Sequence, residues 1–186
     1  MKFHKTTLPG VVLIEPAVFG DERGFFMESY HESRFAENGI DVRFVQDNVS
    51  RSVKGTFRGL HYQMDPHAQG KLVRVPVGEV WDVVVDIRKG SPTFGRYEGF
   101  TLSERNKHIL WVPPGFAHGF LVLSDLAEFS YKCSGYYAPL VERSLRWDDP
   151  DLAIQWPAPP DPALISKKDL AGSFLKSADI NYVWQG

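Results

Sequence analysis

Cysteine is almost missing from this chain: Cys133 is the only one. An intrachain disulfide is therefore excluded, and nothing in the composition calls for an oxidising compartment. A surplus of positive charge is also missing. Lys and Arg number 21 against 23 Asp and Glu, a net charge of -2, which argues against a general nucleic-acid binder. A few local cations still suffice for a small anion. Long apolar runs are absent as well. The first one, Gly10 to Ile14, stops at Glu15 and Pro16, too short for a signal-peptide core. No stretch approaches the roughly 20 apolar residues that cross a bilayer, so no membrane contact is expected and the cytoplasm is the expected location. Neither G-x-G-x-x-G nor G-x-x-x-x-G-K-[ST] occurs, so a dinucleotide bound in the Rossmann manner is not expected. No Ser or Cys sits in a nucleophile-elbow context, and Cys133 reads as a small core residue. Repeats, low-complexity segments and linker-like shifts are also lacking. The 186 residues read as one domain, 1–186, long enough to bury a substantial core.

What the chain does have is a series of short β-branched and aromatic runs separated by Gly, Pro, Asn and Asp. These predict strands at Val11–Glu15, Phe25–Tyr30, Val42–Gln46, Thr56–Tyr62, Lys71–Val77 and Glu79–Arg88. More are expected at Tyr97–Leu102, His108–Val112, Gly119–Leu123 and Ala127–Cys133. Such a series points to an all-β antiparallel sandwich or barrel. Helix is expected only near Glu32–Glu37 and from Ser166, where Ser-Lys-Lys-Asp resembles a capping box. Within Val80–Arg88, Trp81, Val83, Val85 and Ile87 alternate onto one face while Asp82, Val84 and Asp86 share the other. If that second face points inward, its carboxylates need partners, for which Lys71 and Arg74 are candidates; a structural role is the favoured reading of both Asp residues. From Trp147 to Pro162 the chain is rich in Asp, Pro and Trp and reads as an extended loop. The tail carrying Tyr182 and Trp184 is free to pack back over the domain.

Of six histidines, three have informative surroundings: His61 in FRGLHYQ, His67 in MDPHAQG and His118 in VPPGFAHGF. His4, His31 and His108 lack such company. The spacing of Pro113, Gly115 and His118 is similar to the second half of the cupin signature. Metal-binding cupins add an H-x-H pair followed by Glu, whereas this chain reads His61-Tyr62-Gln63. His61, His118 and His67 alone make a poor ligand set, so no metal is expected. The remaining chemical inventory is acid–base: His61, Lys71, Tyr131, His118 and carboxylates.

Several segments together carry a family resemblance: DERGFFMESY, FVQDNVSRS, FRGLHYQ, QGKLVRV, VWDVVVDIRKGSPTFG, WVPPGFAHGF, EFSYKCSGYY and SKKDL. In this order, from about Leu8 to Asp169, they resemble the dTDP-4-dehydrorhamnose 3,5-epimerases. The resemblance implies a cupin-type jelly roll with short flanking helices, a homodimer, and no metal or organic cofactor. It implies a substrate, dTDP-4-keto-6-deoxyglucose, epimerised at C3 and C5 on the way to dTDP-L-rhamnose. By similarity His61 is the base, Tyr131 the acid on the opposite face, Lys71 the stabiliser of the enolate oxygen and Asp169 the partner of His61. Asp82 is a rival partner, and the sequence does not choose between the two. Substrate binding is implied for Arg23, Glu28, Gln46, Asp47, Asn48, Arg58, His118, Glu142 and Lys168.

The chemistry is coherent in its own terms. A proton beside a ketone becomes removable when the enolate charge is stabilised, which suits an ammonium. A histidine base titrates near neutrality, and a tyrosine stays protonated there. One geometric conflict stands out. Arg58 and His61 are three residues apart, so a regular strand turns them to opposite faces, unless Gly59 allows a bulge. Rival readings are an epimerase acting at C3 or C5 alone, a metal-dependent cupin oxygenase, and a non-catalytic sugar-nucleotide binder.

Overall fold

The structure, a computed structural model, describes residues 1–186. In chain order its strands are β1 (Lys2–Lys5), β2 (Val12–Glu15), β3 (Val18–Asp21), β4 (Gly24–Met27), β5 (Gln46–Val53), β6 (Phe57–Gln63) and β7 (Lys71–Val77). They continue with β8 (Glu79–Asp86), β9 (Tyr97–Ser103), β10 (Ile109–Val112), β11 (Phe116–Val122), β12 (Leu126–Cys133) and β13 (Glu142–Ser144). Two short helices, α1 (Glu32–Glu37) and α2 (Lys167–Leu170), flank them. One sheet runs β1-β2-β10-β7-β12-β5, a second runs β13-β6-β11-β8-β9, and β3 and β4 form a separate hairpin. Every ladder between these strands is antiparallel. This is the expected all-β jelly roll.

Strand periodicity explains the layering. Val73, Val75, Leu110 and Phe129 of the first sheet meet Val80, Val84, Phe100, Leu102, Phe120 and Val122 of the second in one buried cluster. The opposite face of the second sheet carries Phe57, Leu60, Tyr62, Val83, Val85 and Leu121, which Leu145, Leu152, Ile154, Ile165 and Ile180 cover. On the outside of the first sheet, Ile14, Leu72, Ile109 and Trp111 pack with Phe35 and Ile40 around α1. Strands β8 and β11 are therefore enclosed on both faces, and the alternation read within Val80–Arg88 holds.

Several expectations need correction. Val42–Val45 is irregular; the strand starts at Gln46 and runs to Val53. Its inner residues are polar because Gln46, Asn48 and Ser50 face a cavity and Ser52 accepts from Arg58, so hydrophobic patterning passed over it. The second expected strand is confined to the hairpin, Gly24–Met27, and β11 begins at Phe116. Strands β1, β3 and β13 were not anticipated. Lys71 and Arg74 are not the partners of the buried carboxylates. Asp86 holds Arg88 at 2.6 Å and accepts from Ser91 and Thr93, while Asp82 faces His118. The helix at Ser166 is as read: its hydroxyl accepts from the Asp169 N–H at 3.2 Å. The tail does pack back, with the Tyr182 hydroxyl donating to the Gln63 carbonyl and Trp184 stacked on Arg88.

Candidate active site

The two main sheets open at one end into a cavity of about 350 Å³. His61 and Arg58 reach it from β6 and His118 from β11. Lys71 comes from β7 across the gap, Tyr131 from β12, Gln46 and Asn48 from β5, Glu142 from β13 and Lys168 from α2. The conflict between Arg58 and His61 is resolved by a bulge. Opposite the two-residue step from His118 to Phe120, β6 takes three residues from His61 to Arg58. Gly59 supplies the extra residue at φ +134°, and a Cβ there would lie 2.5 Å from the Gly119 Cα. Only glycine accepts that backbone and that approach.

Asp169 is the partner of His61. It lies just behind the imidazole, with Oδ1 2.6 Å from Nε2, and is itself buried. Its other oxygen accepts the Gly59 N–H at 3.4 Å. A carboxylate on Nε2 places the proton there and leaves Nδ1 to the cavity, in the tautomer a base needs. Burial pushes the His61 pKa below its ordinary value, against the opposing pull of Asp169, so the free base persists at neutral pH. Burial works to raise the Asp169 carboxyl, but the hydrogen bonds from His61 and Gly59 outweigh it and hold the group ionised.

Lys71 and Tyr131 belong to the sheet opposite His61. No hydrogen bond holds the Lys71 ammonium, and burial lowers its pKa. A cation left without a partner in the cavity is available to a developing negative charge. Burial raises the Tyr131 pKa, keeping its proton in place. Arg58, Lys71 and Lys168 line the cavity against one carboxylate, Glu142. Glu142 holds Lys168 at 2.8 Å and accepts from the Tyr137 hydroxyl at 2.8 Å. These two bonds keep its carboxyl below the ordinary range although burial favours the neutral form. The surplus of cations suits a diphosphate, which Arg grips as a fork and Lys as a point charge.

Of the residues expected here, the structure gathers His61, Tyr131, Lys71, Gln46, Asn48, Arg58, His118, Glu142 and Lys168 around the cavity, with Asp169 behind. It does not bring Arg23, Glu28 or the Asp47 side chain there. Arg23 pairs with Asp21 on the hairpin, Glu28 with Arg34, and Asp47 points outward to Lys132 at 2.9 Å. His67 lies outside the cavity, and no three His, Cys, Asp or Glu side chains converge as metal ligands would. Sequence reading missed Ser50, Phe120 and Phe129 in the lining, although each sits two residues from an identified neighbour on the same strand. Gln69 and Tyr137 were also missed, and their loops carry no periodic signal.

Comparison with known proteins identifies the family of the chain. A family model described as dTDP-4-dehydrorhamnose 3,5-epimerase matches residues 5–177. The dTDP-4-dehydrorhamnose 3,5-epimerase of Shigella flexneri is 56% identical over 96% of this chain and 98% of its own length. That of Pseudomonas aeruginosa is 54% identical over 96% and 98%. The crystal structure of the dTDP-6-deoxy-D-glucose-3,5-epimerase of Legionella pneumophila, in complex with dTDP-4-keto-L-rhamnose, superposes with a TM-score of 0.94. It is 50% identical and covers 100% of this chain and 99% of that one. The chain belongs to the dTDP-4-dehydrorhamnose 3,5-epimerase family.

Proposed function

We propose that this chain inverts C3 and C5 of dTDP-4-keto-6-deoxy-D-glucose to give dTDP-4-keto-L-rhamnose, as an isomerase of dTDP-L-rhamnose formation. The observation that carries the mechanism is the placement of His61, backed by Asp169 of α2, on one sheet and of Tyr131 with Lys71 on the sheet facing it. His61 Nδ1 removes the proton beside the ketone, and the imidazolium so formed is stabilised by Asp169. The electrons move to the ketone oxygen, where the Lys71 ammonium stabilises the enolate. The Tyr131 hydroxyl then delivers a proton from the other face, inverting the centre. Arg58 and Lys168 hold the diphosphate, Gln46 and Asn48 the thymine edge, and Glu142 and His118 the sugar side. No step needs a metal or an organic cofactor.

The same reading makes the protein a single-domain homodimer of the cytoplasm. Arg23 and Glu28 are implied in binding, yet they lie at the hairpin, where Phe19, Phe25 and Phe26 are exposed. A second copy that covers these rings and receives the hairpin in its own cavity reconciles the two facts.

The test is turnover of dTDP-4-keto-6-deoxyglucose in deuterium oxide, with label located by NMR. Deuterium at both C3 and C5 is expected. Label at one carbon selects a single-position epimerase, and none at either sinks the proposal. His61→Ala abolishes label at both carbons, whereas Tyr131→Phe spares exchange more than net epimerisation.

A further inference from the structure

We infer that Asp82 is a positioning residue for this reaction, fixing the His118 imidazole so that its Nδ1 accepts a hydrogen bond from a ring hydroxyl of the sugar. Asp82 is fully buried on the inner face of β8, beside Val80 and Val84. Its side chain has one partner, His118, whose Nε2 lies 2.9 Å from each carboxylate oxygen. Asp86, on the same face, is instead held by an arginine and two hydroxyls.

A buried carboxylate with a single partner is a poor device for stability. Desolvation of both ions opposes such a pair, and well-packed apolar replacements of buried ion pairs are often neutral or stabilising. What the pair does supply is orientation. Nε2 faces a carboxylate and so carries its proton there in either charge state of the ring. Nδ1 has no partner within the chain, and no buried side-chain nitrogen or oxygen is left without one. Nδ1 is therefore open to the space that His118 lines, which is the cavity.

His61 and Asp169 show the same layout, and His118 is the direct cross-strand neighbour of His61. The second sheet thus presents two carboxylate-held imidazoles to the cavity. They differ in depth: the His118 side chain is 6% exposed and that of His61 23%. The outer one suits proton transfer, and the inner one suits a fixed acceptor for a ring hydroxyl, such as the one on C3 beside the ketone.

This inference rests on the sugar occupying the cavity, so wild-type turnover is established first. If the wild-type protein exchanges no deuterium, the functional reading fails and the role of Asp82 falls with it. In active protein, Asp82→Asn, His118→Gln and the double variant are compared for kcat/KM with the keto-sugar and for binding of dTDP alone. Asp82→Asn can turn its amide toward Nε2 and reverse the tautomer. The expected loss in kcat/KM is about tenfold to a hundredfold, typical when the orienting partner of a functional imidazole is removed. Binding of dTDP stays unchanged, and the double variant is no worse than His118→Gln. Wild-type kcat/KM in Asp82→Asn, a parallel loss of dTDP binding, or losses that multiply in the double variant would each overturn the inference. Nitrogen NMR of the wild-type imidazoles covers the case in which Asp82→Asn does not fold. Neutral His118 is expected to be protonated at Nε2 alone, and a proton at Nδ1 refutes the proposal.

Discussion

At the scale of single residues, the cavity is an exercise in shifted proton affinities. Burial holds His61 below its ordinary 6.5, so the free base survives further into acid than an exposed histidine, and kcat/KM falls only as pH drops through that lowered value. Burial also lowers Lys71 from its ordinary 10.5 and raises Tyr131 from 10.0. Deprotonation of Lys71 on the alkaline side removes the enolate's counter-charge. The expected pH profile of kcat/KM is a bell whose acid limb lies below 6.5 and whose alkaline limb lies below 10.5. In Lys71→Arg the alkaline limb should move upward while the acid limb stays, because a guanidinium does not titrate in this range. An alkaline limb that ignores this change would assign it to another group. Asp169→Asn leaves the imidazole contact in place but removes the charge that stabilises imidazolium, and kcat should fall by about a thousandfold or more. Steady-state kinetics at fixed pH check this directly.

At the scale of the element, the bulge in β6 makes the site possible. Without it, either Arg58 or His61 would turn into the apolar layer that holds Phe57 and Leu60. Gly59→Ala forces a Cβ to 2.5 Å from Gly119 in a backbone region closed to alanine. The expected cost is about 2 kcal/mol or more in stability, read from denaturant unfolding, together with loss of turnover. If the variant folds with native stability and activity, the bulge is not what presents both residues. The need for a bulge was legible in the chain, because both residues were implicated and a regular strand cannot serve both. The polar strand β5 was not legible: its inner residues Gln46, Asn48 and Ser50 line the cavity, so the apolar alternation that marks other strands is missing.

At the scale of the whole molecule, the hairpin β3-β4 pairs with no other strand of the chain, and Lys107 over the Phe25 ring is an in-chain contact that leaves its aromatic face largely open. Phe19, Phe25 and Phe26 are 66%, 58% and 69% exposed, an apolar surface that water does not favour. If the proposed dimer forms through this hairpin, Phe26→Glu should give a monomer in light scattering, and turnover should fall with it because Arg23 would no longer reach a neighbouring cavity. A Phe26→Glu protein that remains dimeric and fully active would remove the hairpin from the interface.

The chain by itself determined the β-rich class, the strands whose side chains alternate against a core, and an acid–base inventory that includes His61, Lys71 and Tyr131. Those are properties of residue type and local period, which a linear sequence carries. The tertiary structure alone decided that Asp169, not Asp82, stands behind His61, since both are carboxylates and only their places in space differ. It also decided that Tyr131 and Lys71 oppose His61, because that follows from which strand joins which sheet. Pairing between distant strands depends on contacts many residues apart, and such contacts leave no mark in local patterning.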